Sequence, residues 1–311
     1  MSAEAAFIDR LRGMATHPAA RGLLDDAAVL EMGGETLVLT HDMIVEGVHY
    51  LPGDPPADVA WKLVAVNLSD LAAKGARPLG ALLGYALRDE DWDRAFAEGL
   101  EAVLAAFSLP LLGGDTVAMP AGAPRALGLT AIGRATGPVP ARSGARAGDL
   151  LWVSGAIGDA GAGLKILRGG LDRSDALIER YRNPRPRLEA GERLVPLVRA
   201  MMDVSDGLLI DAARMAAASG CAVRIALDSL PLSDAYLALF GETRLDAAIA
   251  GDDYELLFAT GERAAPAVLA LADEIGLAFS RVGRFETGAG LALTDRGAAV
   301  PLPAVLGFEH G

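Results

Sequence analysis

The chain has 311 residues, 52% of them apolar, with 41 acidic against 28 basic side chains and a net charge of −13. At roughly 100–200 residues per domain the length favours two domains, each with enough apolar residues for its own core. So negative a chain is a poor partner for nucleic acid or anionic lipid, and the lone Cys221 excludes an intrachain disulfide framework and a cysteine-rich metal site.

Met1–Arg12 carries Glu4 and Asp9 and lacks the basic-then-apolar pattern of a secretory signal, and Ala3–Met14 reads as a short amphipathic helix. Thr36–Thr40 reads as a strand ending at His41-Asp42, and Asp58–Lys74 as a helix broken at Gly75–Pro78. A buried strand is expected over Leu79–Leu87, a helix over Asp91–Phe107 capped by Asp91, a short strand over Leu109–Leu112 stopped by Gly113-Gly114, and a strand over Ala126–Ala135. Thr136–Asp149 is rich in Gly, Pro, Ala and Arg without apolar period and reads as the linker between domains spanning 1–137 and 148–311. Beyond it come a strand at Leu150–Ser154, a Gly-rich entry into a helix at Gly155–Gly163, a break at Asn183–Pro186, a helix over Leu188–Ala200, an extended Met201–Asp203, a helix over Gly207–Ser219, and a strand at Ala222–Leu227. Strands at Glu255–Ala259, Ala278–Phe285 and Gly290–Thr294, with a helix near Ala264–Ile275, complete an α/β (α+β) pattern. The longest apolar stretches, Leu79–Leu87 and Ala102–Leu112, fall short of the roughly 20 residues that span a bilayer. The expectation is a soluble, cytoplasmic protein.

The informative aspartates sit among apolar residues, where an unpaired carboxylate costs several kcal/mol. In Asp58–Lys74 apolar residues cover most of the helix surface, yet Asn67, Asp70 and Lys74 form one polar stripe at i, i+3, i+7. Such a stripe is either a solvated face with a local Asp70–Lys74 pair or the wall of a charged cleft. Alternation puts Thr40 and Asp42 on one face of their strand and His41 on the other; hydroxyl and carboxylate oxygens together suit a hard cation such as Mg²⁺. Asp25-Asp26 precedes an apolar run and is by itself an ordinary turn. Gly113-Gly114-Asp115 offers a turn in which backbone N–H groups approach an anion. In Asp203–Gly207, Ser205 or Asp206 is a natural N-cap, and the helix N-terminus favours phosphate. There is no G-x-x-x-x-G-K-[ST] loop and no dinucleotide fingerprint, and His17, His41, His49 and His310 form no zinc pattern.

Taken in order, these segments resemble the thiamine-monophosphate kinases. The resemblance is carried by Asp25-Asp26, Leu39–Asp42 with Glu46–His49, Trp61-Lys62, Val66–Asp70, Gly113–Asp115, Arg142–Asp149, Ser154–Asp159, Met202–Gly207 and Gly251–Leu257, and spans nearly the whole chain. It implies the two-domain aminoimidazole ribonucleotide synthetase-like fold: an N-terminal α/β domain that binds ATP and magnesium and dimerises through its sheet, and a C-terminal α/β domain that closes over the nucleotide. By that likeness Asp26, Thr40, His41, Asp42, Asp70, Asp115, Asp203 and Asp206 hold several Mg²⁺ ions. Gly114, Asp115, Arg142 and Ser205 contact ATP, and His49, Asp252 and Phe308 line the thiamine-phosphate pocket. Asp42, Asp70, Asp115, Arg142 and Asp206 are the catalytic candidates. Leu24, His41 and Asp252 depart from the family pattern, which has a glycine before the tandem aspartates, often Ser or Thr at the second place, and Glu at the third.

The implied reaction is in-line transfer of the γ-phosphoryl group of ATP to thiamine monophosphate. The acceptor oxygen is already anionic, so the missing His–Asp pair is no obstacle, and the difficulty is repulsion between two phosphates. Another ATP-using enzyme of the same superfamily and a two-metal phosphohydrolase are the alternatives. The implied partners are small molecules and a second copy of the chain, with no nucleic acid and no membrane.

Overall fold

The computed structural model describes residues 3–120 and 122–309. His310, part of the histidine reading above, lies outside the described residues. The first half contains α1 (Ala3–Arg12), β1 (Ala28–Met32), β2 (Glu35–Val45), α2 (Pro56–Ala73), β3 (Arg77–Leu87), α3 (Glu90–Ala106), β4 (Leu111–Ala118) and β5 (Ala126–Ala135). Its five strands form one sheet in the order β1-β2-β5-β3-β4, antiparallel except for the parallel β3–β4 pair. The second half contains β6 (Leu150–Ser154), α4 (Asp159–Leu167), α5 (Asp175–Arg182), α6 (Leu188–Leu194), β7 (Ala200–Val204), α7 (Leu208–Ala218), β8 (Ala222–Ala226), α8 (Asp234–Phe240), α9 (Arg244–Ile249), β9 (Glu255–Thr260), α10 (Ala265–Ile275), β10 (Phe279–Glu286), β11 (Gly290–Asp295) and β12 (Ala298–Val300). Seven of these strands make the second sheet, β12-β11-β8-β10-β6-β9-β7. The result is a two-sheet α/β fold.

Helix α2 joins the halves. Apolar residues cover most of its circumference, and every residue from Lys62 to Ala73 is buried. It packs on β2 and β5 of the first sheet and on α6 and β7 of the second half. Strand β6 is likewise buried along its length, as expected for a continuous apolar run inside a sheet.

Several expected elements differ, each for a physical reason. The strand expected to end at His41-Asp42 continues to Val45, because β2 pairs with β5 as far as Val45↔Ala126. The cap of α3 is Asp89, whose carboxylate accepts from Trp92 N at 2.9 Å, rather than Asp91. Helix α6 stops at Leu194 instead of Ala200, since Pro196 cannot continue it. Gly113-Gly114 does not end a strand: β4 runs through it in register with Leu82 and Leu83. A Cβ on Gly114 would lie 1.9 Å from the Leu83 carbonyl oxygen, so glycine is needed there for close strand packing.

Candidate functional site

Of the stripe on α2, Asp70 faces a cleft, and Asn67 and Lys74 lie buried behind it rather than in solvent. Asn67 and Lys74 are fully buried and Asp70 is 8% exposed. Asp70 accepts a short hydrogen bond from Thr40 Oγ1 on β2, and Asn67 Oδ1 accepts from Asp42 N at 2.9 Å. The alternation of β2 thus sends Thr40 and Asp42 toward α2. From the other half, Asp203 at the end of β7 accepts from Ser69 Oγ at 2.6 Å. Carboxylate oxygens of Asp26, Asp70 and Asp203 lie within 4.8 Å of one another.

Two cations offset this charge, Lys74 fully buried and Arg142 partly so. Lys74 does not pair with Asp70; its ammonium contacts Asp25 and lies 2.7 Å from Asp26 Oδ2, and it also donates to Met201 O at 3.2 Å. Arg142, from the segment joining the two sheets, contacts Asp26 Oδ1. Asp25 is taken up by Arg21, Lys74 and the Arg142 amide, which leaves Asp26 as the member of the tandem pair that faces the cluster. Burial works to raise the Asp26 pKa, but Lys74 and Arg142 outweigh it and bring it down to about 2. The others move the opposite way. Burial, then the charges of Asp26 and Asp206, push Asp42 up to about 6. Burial with the neighbouring carboxylates holds Asp70 and Asp203 well above the usual range.

The segment after β7 is held differently from the sequence expectation. Neither Ser205 nor Asp206 caps α7; its N-cap is Gly207, without a side-chain cap. Instead Asp211, fully buried one turn into the helix, reaches back to accept from Asp206 N at 3.1 Å and Gly207 N at 3.2 Å. Those two amides are therefore already occupied. Arg214 bridges Asp206 and Asp211.

The cleft holding these groups has a volume of about 910 Å³ and is lined by Asp26, Asp42, Asp70, Arg142, Asp203, Ser205 and Asp206 together with His49, Asp252 and Phe308. His49 Nδ1 accepts from Val45 N at 3.0 Å, so a neutral ring carries its proton on Nε2. Phe308 is 43% exposed at the wall, its backbone N–H donating to Asp206 O at 2.8 Å. Asp252 lies in Gly251–Tyr254, where Asp252 and Tyr254 both adopt positive φ (69° and 50°) and their amides donate to Ser205 O and Val204 O.

Not every candidate converges here. The His41 side chain points to the other face of the sheet, with Nδ1 2.9 Å from Thr130 Oγ1, so a metal role for its ring does not fit. The Thr40 hydroxyl orients Asp70 from behind rather than lining the cleft. Gly114 and Asp115 lie on exposed β4, an edge strand; β3 and β5 separate it from β2, where Met43 is in register through Gly128 and Gly84. At about 4.8 Å per strand, Asp115 is some 14 Å from that strand. Conversely, Asn67, Ser69, Lys74, Asp211 and Arg214 shape the site without having been given a role from sequence. Only Asn67 and Lys74 carried a signal, as members of the polar stripe.

An all-oxygen donor set fits a hard divalent cation. Asp26 Oδ2 is buried, with no hydrogen bond despite the nearby ammonium, and is a natural ligand atom. The raised carboxyls give a testable sign. A carboxyl whose folded pKa exceeds its unfolded value binds protons more tightly when folded, so it costs the metal-free protein stability as pH rises from about 4 through the folded pKa. For Asp42 that window ends near pH 6. A cation competes with those protons. The rise in Tm on adding magnesium should therefore be small at pH 5 and grow through pH 6–7, as read by scanning fluorimetry; a magnesium effect flat across that range would contradict the cluster as its site.

Residues 24–135 match the N-terminal domain family of AIR synthase related proteins, and residues 146–296 match the corresponding C-terminal domain family. The thiamine-monophosphate kinase of Caulobacter vibrioides is 41% identical over 306 residues, covering 94% of this chain and 86% of that protein. Among solved structures, thiamine-monophosphate kinase from Stenotrophomonas maltophilia K279a superposes with a TM-score of 0.79 at 38% identity, covering 94% of this chain and 95% of the other. AaThiL complexed with AMPPCP and TMP superposes with a TM-score of 0.83 at 29% identity, covering 96% and 94%.

Proposed function

The chain belongs to the AIR synthase related family, in the thiamine-monophosphate kinase branch, and from this we infer that it phosphorylates thiamine monophosphate to thiamine diphosphate at the expense of ATP. The observation that carries the reading is the convergence of Asp26, Asp70 and Asp203, from three distant segments and both halves, on one oxygen-only cluster inside the cleft.

The chemistry follows from charge. A phosphate monoester acceptor already carries an anionic oxygen and needs no strong base. What the site must supply is positive charge between two phosphates and alignment of the transfer. Asp26, Asp70 and Asp203, with Asp42 and Asp206 beside them, would hold Mg²⁺, which when bound neutralises phosphate oxygens. Arg142 lines the cleft beside Asp26 and is a guanidinium suited to a triphosphate. Ser205 lies in the same wall and is the second candidate contact for ATP. His49, Asp252 and Phe308 form the acceptor end, where an aromatic wall suits a cationic thiazolium ring.

In this reading the region 1–137 carries most of the metal and nucleotide contacts and 148–311 closes the cleft. Two copies pair through the first sheet, where Met43, Leu82, Leu112 and Val117 are 40–57% exposed. Pairing would give Gly114 and Asp115 of β4 a route to a nucleotide that they do not meet within one chain. A cytoplasmic location fits a buried, free Cys221.

Phosphorus NMR of the protein with Mg-ATP and thiamine monophosphate tests the reaction. The expected products are thiamine diphosphate and ADP. Orthophosphate without diphosphate ester would mean a two-metal hydrolase, and unchanged nucleotide a protein that only binds it.

A further inference from the structure

Lys62 is 2% exposed, in the middle of the apolar helix α2, and none of the metal or nucleotide contacts above uses it. A buried ammonium persists only where its donors are met. Here Nζ donates to His49 O at 2.8 Å and to Asp252 Oδ2 at 2.9 Å, and lies 3.9 Å from the centre of the Tyr181 ring. These contacts come from three separate places: the loop after β2, the strained turn before β9, and α5. Two of them are the walls assigned to the acceptor.

We propose that Lys62 is the positioning residue of the acceptor end, one ammonium that fixes the His49 loop against the Asp252 turn. The inference rests on the kinase reading and deepens it. The turn needs such an anchor, because Asp252 and Tyr254 both hold positive φ, an unfavourable backbone state for residues with side chains. Their two amide bonds tie the turn to Val204 and Ser205 only from the second half of the chain. Lys62 supplies the tie from the first half. Tyr181 reinforces it, since its hydroxyl reaches the same His49 carbonyl at 3.5 Å.

The same contact sets the chemical character of Asp252. Its Oδ2 is paired with Lys62 and its Oδ1 accepts from Tyr254 OH at 3.2 Å. The carboxylate thus faces the acceptor already charge-compensated and fixed in orientation. It acts as an aimed hydrogen-bond acceptor rather than as a loose counter-ion to a cationic ring. Because Lys62 is about eight residues, or some 12 Å of helix axis, from Asp70, loss of the clamp should leave the metal cluster in place.

The test is steady-state kinetics of Lys62→Met, Asp252→Asn and the double variant, with Tm measured on each. Lys62→Met is expected to raise the KM for thiamine monophosphate about ten-fold, with kcat and the KM for ATP within about two-fold, because an acceptor contact is lost and the metal cluster is not. The double variant should be no worse than the poorer single one, since both remove the same link. If Lys62→Met does not fold, Lys62→Gln, uncharged and one bond too short to reach both His49 O and Asp252 Oδ2, loses the same link and is read for the same rise in KM. An unchanged KM for the acceptor, equal rises for both substrates, or multiplicative losses in the double variant would overturn the assignment. Wild-type protein without thiamine-monophosphate turnover would instead overturn the kinase reading beneath it.

Discussion

Replacing Asp70 by Asn is expected to cut kcat about 10³-fold, the scale seen when a group stabilising transition-state charge is removed, while making the metal-free protein harder to melt. Both effects come from the same crowding. Asp70 is buried and receives Thr40 Oγ1 on Oδ2, a contact that the amide oxygen of Asn can keep. Burial, then Asp42, Asp203 and Asp26, hold its pKa well above the usual range, so at neutral pH this carboxyl costs the folded chain stability. Asn removes this ionisable carboxyl from the cluster almost without changing its volume, and the apo Tm at pH 7 should rise by a few degrees. The cluster would also lose one of its three converging oxygens, so the magnesium-induced rise in Tm should largely disappear. A well-folded Asp70→Asn protein with near-normal turnover would remove the basis for placing the metal here. A lower apo Tm would show that cations, not repulsion, dominate the metal-free cluster.

How much of this was legible beforehand depended on sequence distance. The stripe Asn67, Asp70, Lys74 was readable because it obeys a local helical period, and the opposite facing of His41 because it obeys the alternation of a strand. The partners were not readable. Asp70 and Lys74 stand at i, i+4, the spacing of a local helical ion pair. Lys74 nevertheless meets Asp25, 49 residues away, because α2 is buried on all sides and its end is aimed at the turn before β1. The capping expectation at Ser205-Asp206 failed for a related reason. Asp211, further along the same helix, reached the amides first, and only the fold reveals that it is buried. Gly113-Gly114-Asp115 looked like a turn because glycine pairs usually make one. Pairing with β3 kept it extended, a choice made by residues some 30 positions away. Helix α5 went unseen between Gly170 and Asn183, since a short charged segment carries little apolar period. Its importance is tertiary: Tyr181 docks on Lys62 within α2, and Arg182 on Asp54 just before that helix.

The double substitution Leu82→Asp with Leu112→Asp is expected to convert the proposed dimer into a monomer and to lower turnover at least about 100-fold. Strands β3 and β4 end the first sheet with apolar side chains in water: Leu82 is 40%, Leu112 57% and Val117 52% exposed, and Met43 on β2 is 51% exposed. A β-edge with that composition is a docking surface or an aggregation hazard. Gly84, exposed between Leu82 and the edge strand, leaves a low point on this face, whereas Gly80 is covered by the Leu112 side chain. Burying one leucine contributes about 2 kcal/mol, and an aspartate in its place adds a desolvation cost, so two such changes exceed the roughly 1.4 kcal/mol per ten-fold in affinity several times over. Asp115 lies on the same edge strand, away from the cluster of Asp26, Asp70 and Asp203. Turnover should therefore fall with the dimer, while the magnesium-induced rise in Tm, which depends on residues of one chain, should persist. Light scattering on the eluting protein gives the mass, and the same sample gives the rate. A wild-type protein that is monomeric at assay concentration and fully active would show that one chain assembles the whole site, and Asp115 would then have no part in it.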